Sequence, residues 1–209
     1  MTDWSIGSHE ESRQKALSVT CITDGMDQSK FNLPRSELMR SKEFASFQRP
    51  RLHVSALIAH GWFTIFQISP ADLPKDSNTS VELIAHAITL LKRHGAPLQN
   101  MHLTIQSDNT CRECKNSPMI RFLAAIVSSG VVSSGALSCL RAGHSHEDID
   151  QCFGQLSRYM LRWRVLQTPG DYANCVRSFL EQAKLFEQKQ NRFVVHVDQT
   201  RDWPLVALD

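Results

Sequence analysis

The sequence predicts an α/β fold: a mixed five-stranded sheet, with three antiparallel strands first and parallel strands after them, flanked by helices. Apolar alternation or β-rich runs mark strands at 17–24, 52–60, 62–68, 101–108 and 135–142. The first three follow one another with no long helix between them, which implies antiparallel pairing. The later strand-helix-strand order implies parallel pairing with right-handed crossovers.

Residues 1–16 are polar, with Glu10, Glu11, Arg13 and Lys15, and read as a solvated lead-in. In the first strand Leu17, Val19 and Cys21 share one parity and Ser18, Thr20, Ile22 and Asp24 the other, a pattern that suits a strand presenting a polar edge to a site. Gly25 is expected to break it. Residues 32–50, with Pro34 and Pro50, form a long connection carrying a short helix around Glu37 to Phe47. The next two strands pivot at His60-Gly61, a tight hairpin.

Thr79-Ser80-Val81-Glu82 has the capping-box pattern, and Val81, Ile84, Ala85, Ile88 and Leu91 keep helical spacing up to Gly95. In the fourth strand Asp108 shares parity with His102, Thr104 and Gln106. Ser117-Pro118 opens a helix with Ile120, Leu123, Ala124 and Val127 on its inner face, ending at Gly130. The strongest periodicity runs from Glu147 to Trp163 and turns Ile149, Cys152, Phe153, Leu156, Met160 and Trp163 inward. Thr168-Pro169-Gly170-Asp171 caps a last helix, and Phe193 to Val197 suits an edge strand. The domain plan is a lead-in over 1–16, a catalytic-type domain over 17–165, and a C-terminal helix and edge strand over 166–209 packed on the same domain.

Of 209 residues, 42% are hydrophobic and 21% charged, enough for one sizeable core, and the net charge of +2 excludes a protein that holds DNA by bulk charge alone. The 6 cysteines (Cys21, Cys111, Cys114, Cys139, Cys152 and Cys175) sit mostly in apolar structured segments without a secretory signal, and read as free thiols of an intracellular protein. Cys111-x-x-Cys114 has no second pair to complete a zinc site. No apolar run approaches the roughly 18 residues needed to span a bilayer.

Chemistry concentrates in three places. Gly143-His144-Ser145-His146-Glu147-Asp148-Ile149-Asp150 crowds two histidines and three carboxylates at the mouth of a helix. Helix dipole and capping account for one or two of the acids, not the whole cluster. Thr23-Asp24-Gly25-Met26-Asp27 and Ser107-Asp108-Asn109-Thr110 each close a strand. Taken alone, Asp24 is equally an Asp-Gly turn former and Asp108 a loop or helix cap. Together the three stretches are expected to meet and bind metal through hard oxygen ligands. The helix acid is open between Glu147, Asp148 and Asp150. Asp150 is favoured because Gly154 leaves space one turn on and His146 lies at i−4 on its face.

The blocks Asp24-Gly25-Met26-Asp27-Gln28-Ser29-Lys30-Phe31, Asp108-Asn109-Thr110-Cys111-Arg112-Glu113-Cys114-Lys115-Asn116 and Gly143 to Phe153, in this order, resemble a family of transposon-derived, ribonuclease H-like domains of eukaryotes, related to the DDE/DDD transposases and retroviral integrases. The resemblance spans about residues 17 to 165. It departs at Ser145, where the family favours threonine, and at Cys114, where it favours asparagine. It implies a ribonuclease H-like sheet and a nuclease or polynucleotidyl transferase acting on DNA. It also implies two Mg²⁺ or Mn²⁺ ions, Asp24 bridging both and Asp108 holding one. His144, His146 and Asn109 would support the acids, while Lys30, Arg112 and Lys115 would touch DNA phosphates. A nuclear location and a separate upstream DNA-recognition region also follow from the resemblance, and a homo-oligomer is compatible with it.

Two other readings compete. A domesticated or inactive transposase-derived chain would keep the fold as a scaffold or nucleic-acid binder. A metallo-β-lactamase-like hydrolase would use His144-x-His146-x-Asp148, but Ile149 stands where that motif closes with another histidine.

Overall fold

The structure is a computed structural model that describes residues 18–26, 33, 35–36, 52–70, 72–107, 115–139, 147–163, 165–182 and 191–200. Its strands are β1 (Ser18–Gly25), β2 (Arg35–Ser36), β3 (His53–Ala59), β4 (Phe63–Ser69), β5 (His102–Ser107), β6 (Ser134–Cys139), β7 (Val165–Leu166) and β8 (Asn191–His196). Its helices are α1 (Ser77–Arg93), α2 (Ser117–Ser128), α3 (Glu147–Met160) and α4 (Pro169–Gln182), with a short 3-10 turn at Leu98–Asn100. The helix expected around Glu37 to Phe47 lies outside the described residues.

Local chemistry sets most boundaries. Gly61 adopts φ 78° at the β3–β4 hairpin, and Gly95 and Gly130, with φ 80° and 71°, follow the ends of α1 and α2. The start of α1 differs from the expected capping box. Asp76 is the N-cap, its carboxylate accepting from the backbone N–H of Asn78 and Thr79 at 2.9 and 3.2 Å. A carboxylate one turn earlier satisfies the orphan donors, and Glu82 is instead buried. Asn116 caps α2 through the Met119 N–H at 3.1 Å. At α4, Asp171 Oδ2 accepts from the N–H of Gln167 and Thr168, while Thr168 Oγ1 accepts from the Asp171 N–H.

Six strands form one sheet in the order β6-β5-β1-β3-β4-β8, and β2 and β7 pair separately. β1, β3 and β4 are mutually antiparallel in that succession, while β5 joins β1, β6 joins β5 and β8 joins β4 in parallel. The C-terminal edge strand therefore extends the expected five strands to six. The register sets Ile22 opposite Ile58 of β3 and Gln106 of β5.

Alternation sends one parity to each face. Val19, Cys21, Leu57, Ile65, Leu103 and Ile105 pack with α1 and α2 in one core, and Ile22, Ala56, Ile58, Phe66 and Ile68 pack with α3 and α4 in the other. The molecule is thus helices, sheet, helices. Three inward assignments change. Ile120 is 59% exposed and Ala124 is exposed, because α2 turns Met119 and Phe122 into the core. Trp163 packs only half-buried beyond the end of α3.

Phe66, fully buried, meets Phe153 of α3 edge-on at 6.0 Å and locks helix to sheet. Phe66→Ala is expected to cost about 3 to 5 kcal/mol, read as a shift of the urea midpoint at unchanged slope. The hydrogen bonds from the backbone of Thr168 and then Gln167 hold the Asp171 carboxyl below its ordinary value of 3.8. A depressed carboxyl contributes stability above its ordinary value and loses it as pH falls through the folded value. Asp171→Asn should therefore destabilise the protein at pH 7, and the gap to wild type should close below pH 3.8 in paired urea titrations.

Candidate functional site

Asp24 ends β1 as the sequence predicts, but Gly25 does not break the strand. Gly25 is its last residue, paired with Ser55, and the Met26 N–H continues to the Val54 carbonyl at 2.8 Å. Asp24 shares parity with Ile22, so it stands on the α3–α4 side of the sheet, half-buried, with Oδ1 accepting from the Gly25 N–H at 2.7 Å. This bond fixes the carboxylate without exhausting its acceptor capacity. On the other face, the ammonium end of Lys75 occupies the space a Cβ at residue 25 would need. Glycine here serves close approach, since its φ is not positive.

Helix α3 lies over β1 and β3, and α4 over β4 and β8. Ile149 faces the core fully buried, with exposed Asp148 and Asp150 on either side of it. Residues two apart on a helix point about 200° apart, so the two acids serve opposite flanks. Tyr159, about three full turns beyond Asp148, contacts Phe179 of α4 at 5.6 Å, which marks the Asp148 flank as the one turned to α4. Asp148 Oδ2 lies 3.9 Å from His60 Nε2 at the start of the β3–β4 hairpin. The His60 N–H bonds the Thr20 carbonyl, four residues before Asp24 and about 13 Å along the strand. Asp148 is thereby drawn toward the opposite end of β1 from Asp24. Asp150 is exposed on the other flank, the one it shares with Gly154 and Ser157 by helical spacing, and nothing lies within 4 Å of where a Cβ on Gly154 would stand.

The same face of β5 and β6 is polar. His102, Thr104 and Gln106 alternate with buried Leu103 and Ile105, and His102 Nδ1 and Ser134 Oγ share a 2.7 Å hydrogen bond. Asp24 and Gln106 therefore border one side of the sheet, near the parallel ends of β1 and β5, while Asp150 stands exposed on α3 two residues from Asp148. No group of three or more His, Cys, Asp or Glu side chains arranged for a metal exists among the described residues. Asp108, Asn109, Lys30, Arg112, His144 and His146 lie outside the described residues, as does the Glu147 side chain. Lys115 is described and exposed, just before the Asn116 cap of α2.

Sequence spacing gave no signal for Lys75, because nothing local links positions 25 and 75. His60 was visible only as a turn residue. Cys21, Cys139, Cys152 and Cys175 are free thiols. Burial pushes Cys21 and Cys152 up to about 12, with the Arg192 charge opposing the rise at Cys152. Neither serves as a thiolate nucleophile or soft metal ligand at neutral pH. No helix among the described residues is long and apolar enough to cross a membrane.

No curated protein and no solved structure matches the chain. One family does, over residues 42–203, a span that takes in β3 through β8 and the four helices and begins after Asp24. The chain belongs to the family described as a domain of unknown function, DUF7869.

Proposed function

We propose that the chain is a metal-dependent nuclease or polynucleotidyl transferase domain of the ribonuclease H-like, transposase type, acting on DNA. The pairing of β1 supports this best: antiparallel to β3, parallel to β5, with a carboxylate at its end on the face that α3 crosses. An antiparallel succession of three strands followed by parallel β5 and β6 is the order this reading requires. Asp24 and Asp150 are hard oxygen donors on the same side of the sheet, and the space beside Gly154, one turn on from Asp150, is open.

In this reading Asp24, held by the Gly25 amide, and Asp150 would hold the ions with Asp108, the residue that follows β5 in sequence. Asp150 is preferred to Asp148 because Asp148 faces His60. Two Mg²⁺ or Mn²⁺ ions would activate an oxygen nucleophile and stabilise the leaving 3′-oxygen. Gln106 and His102 line the adjoining sheet surface with hydrogen-bonding groups for a substrate backbone. Lys75 places its ammonium beside Gly25, on the far side of β1.

Calorimetry with Mg²⁺ and Mn²⁺, together with nicking of labelled DNA, tests the proposal. Asp24→Asn, Asp108→Asn and Asp150→Asn should each lower nicking by at least about 100-fold and weaken ion binding, in line with losses on removing a group that stabilises transition-state charge. Asp148→Asn should leave both within about threefold of wild type. Wild type that binds neither ion would make the acids caps and turns and the chain a scaffold. Asp148 proving essential in place of Asp150 would overturn the assignment of the helix ligand.

A further inference from the structure

A second polar concavity lies away from Asp24, between the outer sides of α3 and α4. It is an open depression of about 430 Å³ lined by Gln155, Arg158, Tyr159, Arg162, Phe179 and Gln182. This is within the range of small-ligand sites. Its floor is apolar: Phe179 is buried and Tyr159 leans on it at 5.6 Å with the rings 51° apart. The Arg162 guanidinium sits 5.8 Å from the centroid of Tyr159.

Arg158 lies in the last turn of α3 and Arg162 in the turn that follows it, and both line the same cleft, where like charges repel. Neither has an ion-pair partner among the described residues. The helix dipole favours a cation in the last turn, where Arg158 lies, but it does not explain a second one beside it without an acid. Two guanidiniums without an ion-pair partner among the described residues mark a place for an anion, and planar forks suit phosphate oxygens. Gln155 and Gln182 add amide donors and acceptors able to meet the edge of a planar heterocycle, and Tyr159 adds an aromatic wall.

We propose that the α3–α4 cleft binds a nucleotide, free or at the end of a strand. Arg158 and Arg162 take the phosphate, Gln155 and Gln182 take the base edge, and Tyr159 lies against the ring. The cleft is separate from the acid site and does not depend on the nuclease reading.

The test titrates the full chain with adenosine monophosphate, inorganic phosphate, adenosine and a short oligothymidylate, with EDTA present so that no metal bound at Asp24 contributes. Binding is read by calorimetry. Adenosine monophosphate should saturate one site, with phosphate and adenosine each at least about tenfold weaker. The double variant Arg158→Gln/Arg162→Gln should weaken binding at least about 10-fold, the loss expected of charge-assisted hydrogen bonds. Gln155→Ala should selectively reduce the advantage of the nucleotide over phosphate. Arg177→Gln, outside the cleft, should change nothing, and circular dichroism confirms that each variant is folded. Tighter binding of the oligonucleotide than of the mononucleotide would identify a strand as the source. The proposal is overturned if neither nucleotide ligand saturates folded wild type, if the double variant binds as well as wild type, or if phosphate alone binds as tightly as the nucleotide.

Discussion

The alternation of β1, fixed by hydrogen bonding on both of its edges, is the constraint on which the rest of the structure depends. Cys21 opposite Ala59 and Ile105, and Ile22 opposite Ile58 and Gln106, set a register that closes two cores at once. A slip of one residue would drive Asp24 into the α1–α2 core and turn the Cys21 parity to the other face. The same slip would turn Val19 and Cys21 out of one core and Ile22 out of the other, losing apolar contacts on both faces. The placement of Asp24 on the α3 side is thus enforced by Val19, Cys21 and Ile22 rather than by any interaction of the acid itself.

That asymmetry continues across the sheet. On the α1–α2 side, β1, β3, β4 and β5 present an apolar surface that turns polar only toward one end, at buried Thr23, Gln67, Ser69 and Ser107. On the other side, α3 and α4 cover β1, β3, β4 and β8, while the β5 residues of that parity stay polar and half-buried. A strand with Leu103 and Ile105 inward and His102, Thr104 and Gln106 outward is what one-sided covering demands. Polarity beside Asp24 is therefore a consequence of where the helices end, and it supplies hydrogen-bonding groups to whatever approaches that end of the sheet.

Period-two alternation and glycine or proline punctuation made most of the fold legible in the sequence. The hairpin at Gly61, the stops at Gly95 and Gly130, and the inward face of α3 follow from residue type and spacing alone. Legibility failed where two local solutions competed. Asp76 displaced the Thr79 capping box because its carboxylate caps the N–H groups of Asn78 and Thr79 and so starts the helix one turn earlier. Ile120 and Leu123 both fit an inward stripe on α2, and only packing of Leu123 against Gly135 of β6 selected which residues turned in. For the site, strand parity located Asp24. That Asp148 and Asp150 serve opposite flanks, with Asp148 at His60, depends on the position of α4, which no spacing within residues 143–150 contains. Lys75 against Gly25 is purely tertiary.

The family match over residues 42–203 begins after β1, yet β1 is the middle of the sheet. Without it, β3 and β5 would each expose a row of backbone donors and acceptors. The buried halves of both cores that β1 supplies, Val19 and Cys21 on one face and Ile22 on the other, would also be lost. β5 and β6 would be held to the remainder mainly through α2, whose only fully buried side chains are Met119 and Phe122. The matched segment therefore contains most of the helices and strands but not the strand that joins its two halves, and the physical unit begins at or before Ser18. Asp24 belongs to that joining strand, so the residue most exposed to the candidate chemistry is also carried by the element that the fold can least do without.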